Sequence, residues 1–85
     1  MVSPRRRQGD AQAQYNLGLA YATAEGVEQD NVRAHMWFNL AAARFPASAA
    51  RNRREAVKNR DFVAAKMSPE QLAEAQKLAR EWQPK

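Results

Sequence analysis

The sequence contains few side chains that could perform catalysis or bind a metal ion. It has no cysteine and a single histidine, His35. A zinc site needs several thiolate or imidazole ligands, which this composition does not supply. His35 has no evident carboxylate partner, and neither a nucleophile motif nor a glycine-rich phosphate loop is present. The sequence therefore predicts a protein that is not an enzyme and that uses no metal or cofactor.

Two arginines are the candidates for binding an anion. Arg53 and Arg60 are seven residues apart and fall within the apolar stripe of a predicted helix. A guanidinium in such a place can hold a carboxylate or phosphate through two parallel hydrogen bonds. Alternatively, its stem covers apolar surface while its head reaches water or pairs with an Asp or Glu of the same chain. The sequence leaves both roles open.

Positive charge is concentrated in the middle of the chain. The net charge is +5, and residues 45–66 contribute +4 of it through six basic and two acidic side chains. Arg51, Arg54 and Lys58 lie one turn apart on the polar side of a predicted helix. A solvated helix face explains such a row, and nucleic-acid or acidic-partner binding is the alternative function. Phe62 is the only aromatic residue among these helical positions, and no helix-turn-helix signature is present, which argues against nucleic acid.

The sequence predicts four helices and no strand. We expect them at about 10–24, 31–44, 47–66 and 69–83, after a flexible basic arm at residues 1–8. Asp10 and Asp30 are predicted N-caps, and Pro46 ends the second helix, since the residue before proline avoids helical angles. The run Ser68-Pro-Glu-Gln71 has the residues of a capping box. No apolar run is long enough for a membrane span, and no signal peptide is predicted, so we expect a cytoplasmic protein without membrane contact.

The faces of these helices predict how they pack. The first two helices are apolar on two sides, which is typical of helices sandwiched between neighbours in a stacked solenoid. The fourth helix is apolar on one side only, as a terminal capping helix should be. We therefore expect one helical-repeat domain at residues 9–85. Three explanations of the open N-terminal face stay open: self-association into a homodimer through the first helix, descent from a longer repeat array, or coverage by the third and fourth helices.

Small and aromatic residues recur in an ordered pattern across the first two helices. The pattern is Leu17-Gly18-x-x-Tyr21, Glu25-Gly26-Val27, Asp30, Ala34, Trp37 and Ala41-Ala42. It resembles the Sel-one-like repeat, a branch of the tetratricopeptide superfamily, over residues 9–45. Residues 46–85 match no second full repeat well, but the segment from Asn59 to Trp82 resembles the C-terminal ending of some members. One departure is Ala24, near which the family often has another glycine.

This resemblance implies an α–α superhelix of two antiparallel helix pairs with right-handed stacking. It also implies a non-catalytic scaffold or interaction module for a protein or peptide partner. In tetratricopeptide-like folds the first helix of each repeat lines the concave surface. The implied partner-binding residues are therefore Gln12, Tyr15, Asn16, Leu19 and Thr23. We expect Gly18 to allow close approach of the second helix, with Ala34 and Ala41 as matching small residues and Trp37 filling the remaining space.

Overall fold

A computed structural model describes residues 4–23 and 29–82, with side chains from Gly9 onward. Its helices are α1 (Pro4–Thr23), α2 (Asn31–Arg44), α3 (Ala50–Ala64) and α4 (Pro69–Glu81), and a single 3-10 turn at Ala47–Ala49 leads into α3. The described residues contain no strand. The predicted all-α class is therefore confirmed. The turn at Gly26 lies outside the described residues.

The first helix begins earlier than the sequence predicted. Helix α1 starts at Pro4, so it includes residues 4–8, which we had expected to form an arm. Proline is favourable at the first helical position because its fixed φ suits the helix, and the Arg and Gln residues that follow are good helix formers. Asp10 consequently lies inside α1 and is not its N-cap. The Asp10 carboxylate instead accepts a hydrogen bond from Arg44 Nη2 at 3.4 Å.

The predicted caps of the second and fourth helices are confirmed. Asp30 Oδ1 accepts a hydrogen bond from the Arg33 amide at 3.1 Å. Ser68 and Gln71 form a reciprocal capping box, in which each side chain bonds the backbone amide of the other at 3.2 and 2.9 Å. Phe45, directly before Pro46, leaves the helical conformation with a ψ of 130°. These local contacts satisfy amides that would otherwise lack partners at the helix starts.

Helix α2 is the central element of the fold. Helices α1, α3 and α4 each pack against α2 more extensively than against one another. One core cluster joins α1, α2 and α3 around Phe45, with Ala11, Ala41 and Ala56 completely buried. A second cluster is built on Phe38, Ala34 and Val63. The sequence predicted α3 and α4 as a second helix pair. These two helices pack against each other less closely than α1 packs against α2, because α3 and α4 each rest on α2.

Gly18 permits the close approach of α1 and α2, as predicted, but its partner is an aromatic ring. A Cβ atom at Gly18 would lie 2.6 and 2.7 Å from Cδ1 and Cε1 of Phe38. Phe38 is only 1% exposed. The absence of a side chain at position 18 is therefore what lets the Phe38 ring pack directly against α1.

Trp37 has a different role from the predicted one. It lies against Trp82 at the end of α4, with ring centroids 5.9 Å apart in an edge-to-face arrangement. Position 37 is one residue from Phe38, so its side chain points about 100° away around the helix, toward α4. Trp37 thus fixes the terminal helix, while Phe38 fills the space beside Gly18.

Candidate functional site

A groove runs between α1 and α3, with α2 as its floor. Both helices pack on α2 but have little direct packing with each other. One hydrogen bond crosses the gap, from Asn59 Nδ2 on α3 to the Tyr15 hydroxyl oxygen on α1, at 2.7 Å. We call this feature the α1–α3 groove.

The Tyr15–Asn59 bridge has a pocket on each side of it. One pocket, here called the polar pocket after its amide, hydroxyl and carboxylate side chains, is lined by Gln12, Tyr15, Phe45, Asn52 and Glu55. The other, here called the apolar pocket, is lined by the apolar side chains of Leu19, Ala22, Phe38, Phe62 and Val63 together with Thr23, Asn31, Asn59 and Lys66. Its volume is about 140 Å³, many times the 10–15 Å³ or so that a water molecule needs on the same measure. The apolar pocket therefore has room for an amino-acid side chain.

Tyr15 organises the polar side of the groove. Its ring packs against Phe38 with centroids 5.6 Å apart. Burial and the Glu55 carboxylate raise the pKa of the Tyr15 phenol, and the hydrogen bond from Asn59 opposes them by lowering it. The phenol therefore keeps its proton at neutral pH. Since its oxygen already accepts from Asn59, its own O–H can donate to a carbonyl or carboxylate oxygen placed in the groove.

The predicted partner-binding residues lie on this side of α1. Gln12 and Tyr15 line the polar pocket, and Leu19 and Thr23 line the apolar pocket. Asn16 is exposed and accepts a hydrogen bond from Gln12 Nε2 at 3.1 Å. The structure thus brings four of the five residues to the walls of one groove, and their role in binding stays a prediction.

Two residues of the groove were not among the predicted binding residues. Phe62 is 64% exposed, and Lys66 Nζ lies 4.4 Å from the centroid of its ring. Both line the apolar pocket from the α3 side. The sequence contained one signal for them, because Phe62 is the single aromatic residue among the helical positions of the basic segment. Only the packing of α3 beside α1 shows that it belongs to the same groove as Leu19.

Arg53 and Arg60 make contacts within the chain. Arg53 Nη2 donates to the Phe45 carbonyl at the end of α2, at 2.8 Å. Arg60 Nη1 donates to Asn39 Oδ1 at 3.0 Å, and its Nε donates to Asp61 Oδ1 at 3.2 Å. These bonds match the internal pairing that the sequence had left open, and anion binding by the two arginines stays an untested prediction. Arg51, Arg54 and Lys58 are exposed.

His35 is buried in the interior rather than in the groove. It is only 4% exposed, and its Nδ1 atom has no hydrogen-bond partner among the described residues. Burial, followed by the positive charge of Arg60, lowers the pKa of His35, and Asp61 raises it by a smaller amount. The imidazole is therefore neutral at physiological pH. Among the described residues, no group of three or more His, Cys, Asp or Glu is placed to hold a metal ion.

Comparison with known families confirms the resemblance seen in the sequence. The family model of the Sel1 repeat matches residues 11–44, which span α2 and most of α1. This segment therefore resembles a Sel1 repeat, and α1 and α2 form the helical hairpin that such a repeat implies. Sel1 repeats generally mediate protein–protein interactions, and the family is typically non-catalytic.

No curated protein and no solved structure gave a significant match to this chain. Within the described residues, no helix combines the length and apolar character required to cross a membrane.

Proposed function

We propose that this protein is a non-catalytic interaction module that binds a peptide or an extended protein segment in the α1–α3 groove. The observation that carries this proposal is the pair of pockets on either side of Tyr15. Four of the five side chains expected to face a partner line those two pockets. A groove with an apolar pocket beside polar donors and acceptors suits a peptide, whose side chains and backbone need both kinds of contact.

The two pockets offer different contacts to a bound segment. The apolar pocket accepts a side chain against Leu19, Phe38 and Val63. The polar pocket presents the Tyr15 hydroxyl and the Gln12 amide to the backbone of the same segment. Thr23 donates its hydroxyl to the Leu19 carbonyl of its own helix at 2.8 Å, so that hydroxyl already has an acceptor. Apolar anchoring supplies affinity here, and the hydrogen bonds set orientation.

The test is selection of a phage library of random peptides on the purified full chain. Selected peptides are then synthesised and titrated against the wild type and three variants, two in the groove and one outside it, by fluorescence anisotropy. Leu19→Asp places a charge in the apolar pocket and should weaken binding by at least about tenfold, the effect of losing one well-buried contact. Leu17→Asp is the matched control, because Leu17 is 40% exposed and lines neither pocket.

Circular dichroism of both variants separates a lost contact from a lost fold. Leu19 packs against the Phe38 cluster, so a second variant, Thr23→Trp, blocks the pocket from an exposed position. The proposal fails if no peptide is enriched, or if both groove variants bind as well as the wild type. It also fails if Leu17→Asp alone abolishes binding, since that places the binding surface on the outer side of α1.

Two further roles predicted from the sequence remain proposals. The exposed row of Arg51, Arg54 and Lys58 favours contact with nucleic acid or with an acidic partner. Self-association through α1 is favoured by Leu17, which is 40% exposed between Ala13 and Ala20 on the side of α1 away from the groove. Gel shifts at low salt and light scattering, respectively, test these two roles.

A further inference from the structure

The residues around the apolar pocket specify the chemistry of the partner. Resting on the function proposed above, we propose that the groove recognises an acidic peptide segment. One apolar side chain of that segment enters the apolar pocket against Phe62, and a neighbouring carboxylate pairs with Lys66.

The apolar part of this recognition rests on Phe62. Its side chain is 64% exposed, although it lies beside a pocket that also contains Leu19, Phe38 and Val63. Exposing a phenyl ring forgoes the stabilisation that burial against other apolar side chains would supply. A side chain inserted between Phe62 and Leu19 would cover the ring and the pocket together. The aliphatic and aromatic lining suits a Leu, Ile, Met or Phe side chain.

The charged part rests on the cations that flank Phe62. Arg54, Lys58 and Phe62 follow one another at four-residue steps along α3, and Lys66 lies in the turn after Ala64; all four are exposed. Side chains at this spacing form a continuous row along one side of a helix. None of the three cations makes a salt bridge with another described residue. The row is therefore one phenyl ring bordered on both sides by cations that are available for pairing.

Lys66 connects the two parts. Its ammonium lies 4.4 Å from the centre of the Phe62 ring, which is within the range of a cation–π contact. It is also the one charged side chain among the described residues that line the apolar pocket. An ammonium has three donors and no acceptor, so one face can rest on the ring while the others bond a carboxylate. A carboxylate bound there would lie next to the apolar side chain in the pocket.

The observations favour an acidic peptide over a nucleic acid. Phosphate groups do not use an aliphatic pocket, and single-stranded nucleic acid is bound on several aromatic platforms, whereas α3 presents one aromatic ring. A peptide with an apolar residue beside Asp or Glu matches both the pocket and the charge.

The experiment uses the same phage library of random peptides and the full chain. Peptides enriched on the wild type should combine an excess of Asp and Glu with one recurrent apolar residue. For a synthetic peptide of this kind, Phe62→Ala should weaken binding about tenfold or more, and Lys66→Ala up to about fivefold. Lys77→Ala is the matched control, because Lys77 is exposed on α4 and does not line the pocket.

Salt and peptide variants complete the test. Raising the salt concentration from about 0.1 M to about 1 M shortens the Debye length from about 10 Å to about 3 Å. The added salt should therefore weaken binding of the peptide to the wild type more than its binding to Lys66→Ala. Replacing the acidic residues of the peptide by Asn or Gln should reduce affinity as much as Lys66→Ala does.

The outcomes separate this inference from the proposed function. The acidic partner is overturned if the enriched peptides lack acidic residues. It is also overturned if Leu19→Asp abolishes peptide binding while Phe62→Ala and Lys66→Ala leave it unchanged. In both cases the groove is still a peptide site. Failure to enrich any peptide overturns both. Binding of a single-stranded oligonucleotide that depends on Phe62 and Lys66 and displaces the peptide assigns the row to nucleic acid instead.

Discussion

Replacing Gly18 by alanine tests the most constrained contact in the fold. The added Cβ would meet two ring atoms of Phe38 at 2.6 and 2.7 Å, well below van der Waals contact. Phe38 is 1% exposed and packs against Ala34 and Val63, so the ring can move only toward the apolar pocket that it lines. The change therefore forces α1 and α2 apart or pushes the ring toward the α1–α3 groove.

Two opposing effects set the magnitude. Alanine is better than glycine inside a helix by about 1 kcal/mol. Overpacking a filled core costs about 1 to 3 kcal/mol, and a contact this short with a fully buried ring belongs in the upper part of that range. The net destabilisation should be about 1 to 2 kcal/mol, which lowers the Tm of a domain of this size by about 5 to 15 °C.

The assay is thermal and urea unfolding followed by circular dichroism at the helical band. Gly9→Ala is the matched control, since it is the same substitution in the same helix and no atom lies within 4 Å of the added Cβ. That variant should be more stable than the wild type by about 0.5 to 1 kcal/mol. Phe38→Leu in the Gly18→Ala background should cost less than Phe38→Leu alone, because the smaller side chain relieves the clash.

An increase in Tm for Gly18→Ala equal to that for Gly9→Ala would refute this reasoning. It would mean that helix propensity outweighs packing at position 18, and that Phe38 is free to move. Additive effects of the Gly18 and Phe38 substitutions would likewise show that the two residues are not in tight contact.

Three other predictions concern stability and assembly. The pKa of His35 is lowered in the folded chain, so the unfolded chain binds a proton at this imidazole more tightly than the folded chain does. The free energy of unfolding should therefore fall as the pH drops below about 6.5. Urea titrations at several pH values should show a flatter pH dependence for His35→Leu than for the wild type. Asp30→Ala and Ser68→Ala each remove an N-cap and should each cost about 1 kcal/mol in the same assay. If α1 mediates self-association, light scattering should find a dimer that Leu17→Asp converts to a monomer.

Each of these predictions has a contrary result. An unchanged slope of stability against pH in His35→Leu would show that another group dominates acid unfolding. Cap variants as stable as the wild type would mean that water satisfies the helix-start amides equally well. A monomeric wild type at high concentration would exclude the homodimer, and a dimer unaffected by Leu17→Asp would place the contact elsewhere.

Local features were predicted well because their causes lie within a few residues. The Ser68–Gln71 box, the Asp30 cap and the helix end before Pro46 all depend on neighbours in the chain. The start of α1 was predicted wrongly. Asp10 suggested an N-cap, but the helix begins at Pro4, and the helix-forming residues that follow continue it through Asp10. Gly18 was correctly read as a point of close helix approach, but the choice between Trp37 and Phe38 as its neighbour depended on the rotation of α2.

The candidate groove was less predictable because distant residues form it. Tyr15 and Asn59 are 44 positions apart, and Arg60 reaches Asn39 across 21 positions. Helical periodicity assigns each side chain to a face of its own helix, but it does not say which faces of two helices meet. Phe62 and Lys66 could be placed on an exposed side of α3 from sequence, and their position opposite Leu19 could not.

The sequence by itself determined that this chain is helical, where α2 and α4 begin, and that residues 9–45 resemble a Sel-one-like repeat, a resemblance that the family model supports at residues 11–44. Propensity, capping and periodicity act over one or two turns, so they can be read without a structure. The tertiary structure decided that α1 and α3 stand apart on α2 and leave a groove between them. It also decided which side chains line that groove, because helix rotation and spacing are set by packing of the whole core around Phe38 and Phe45.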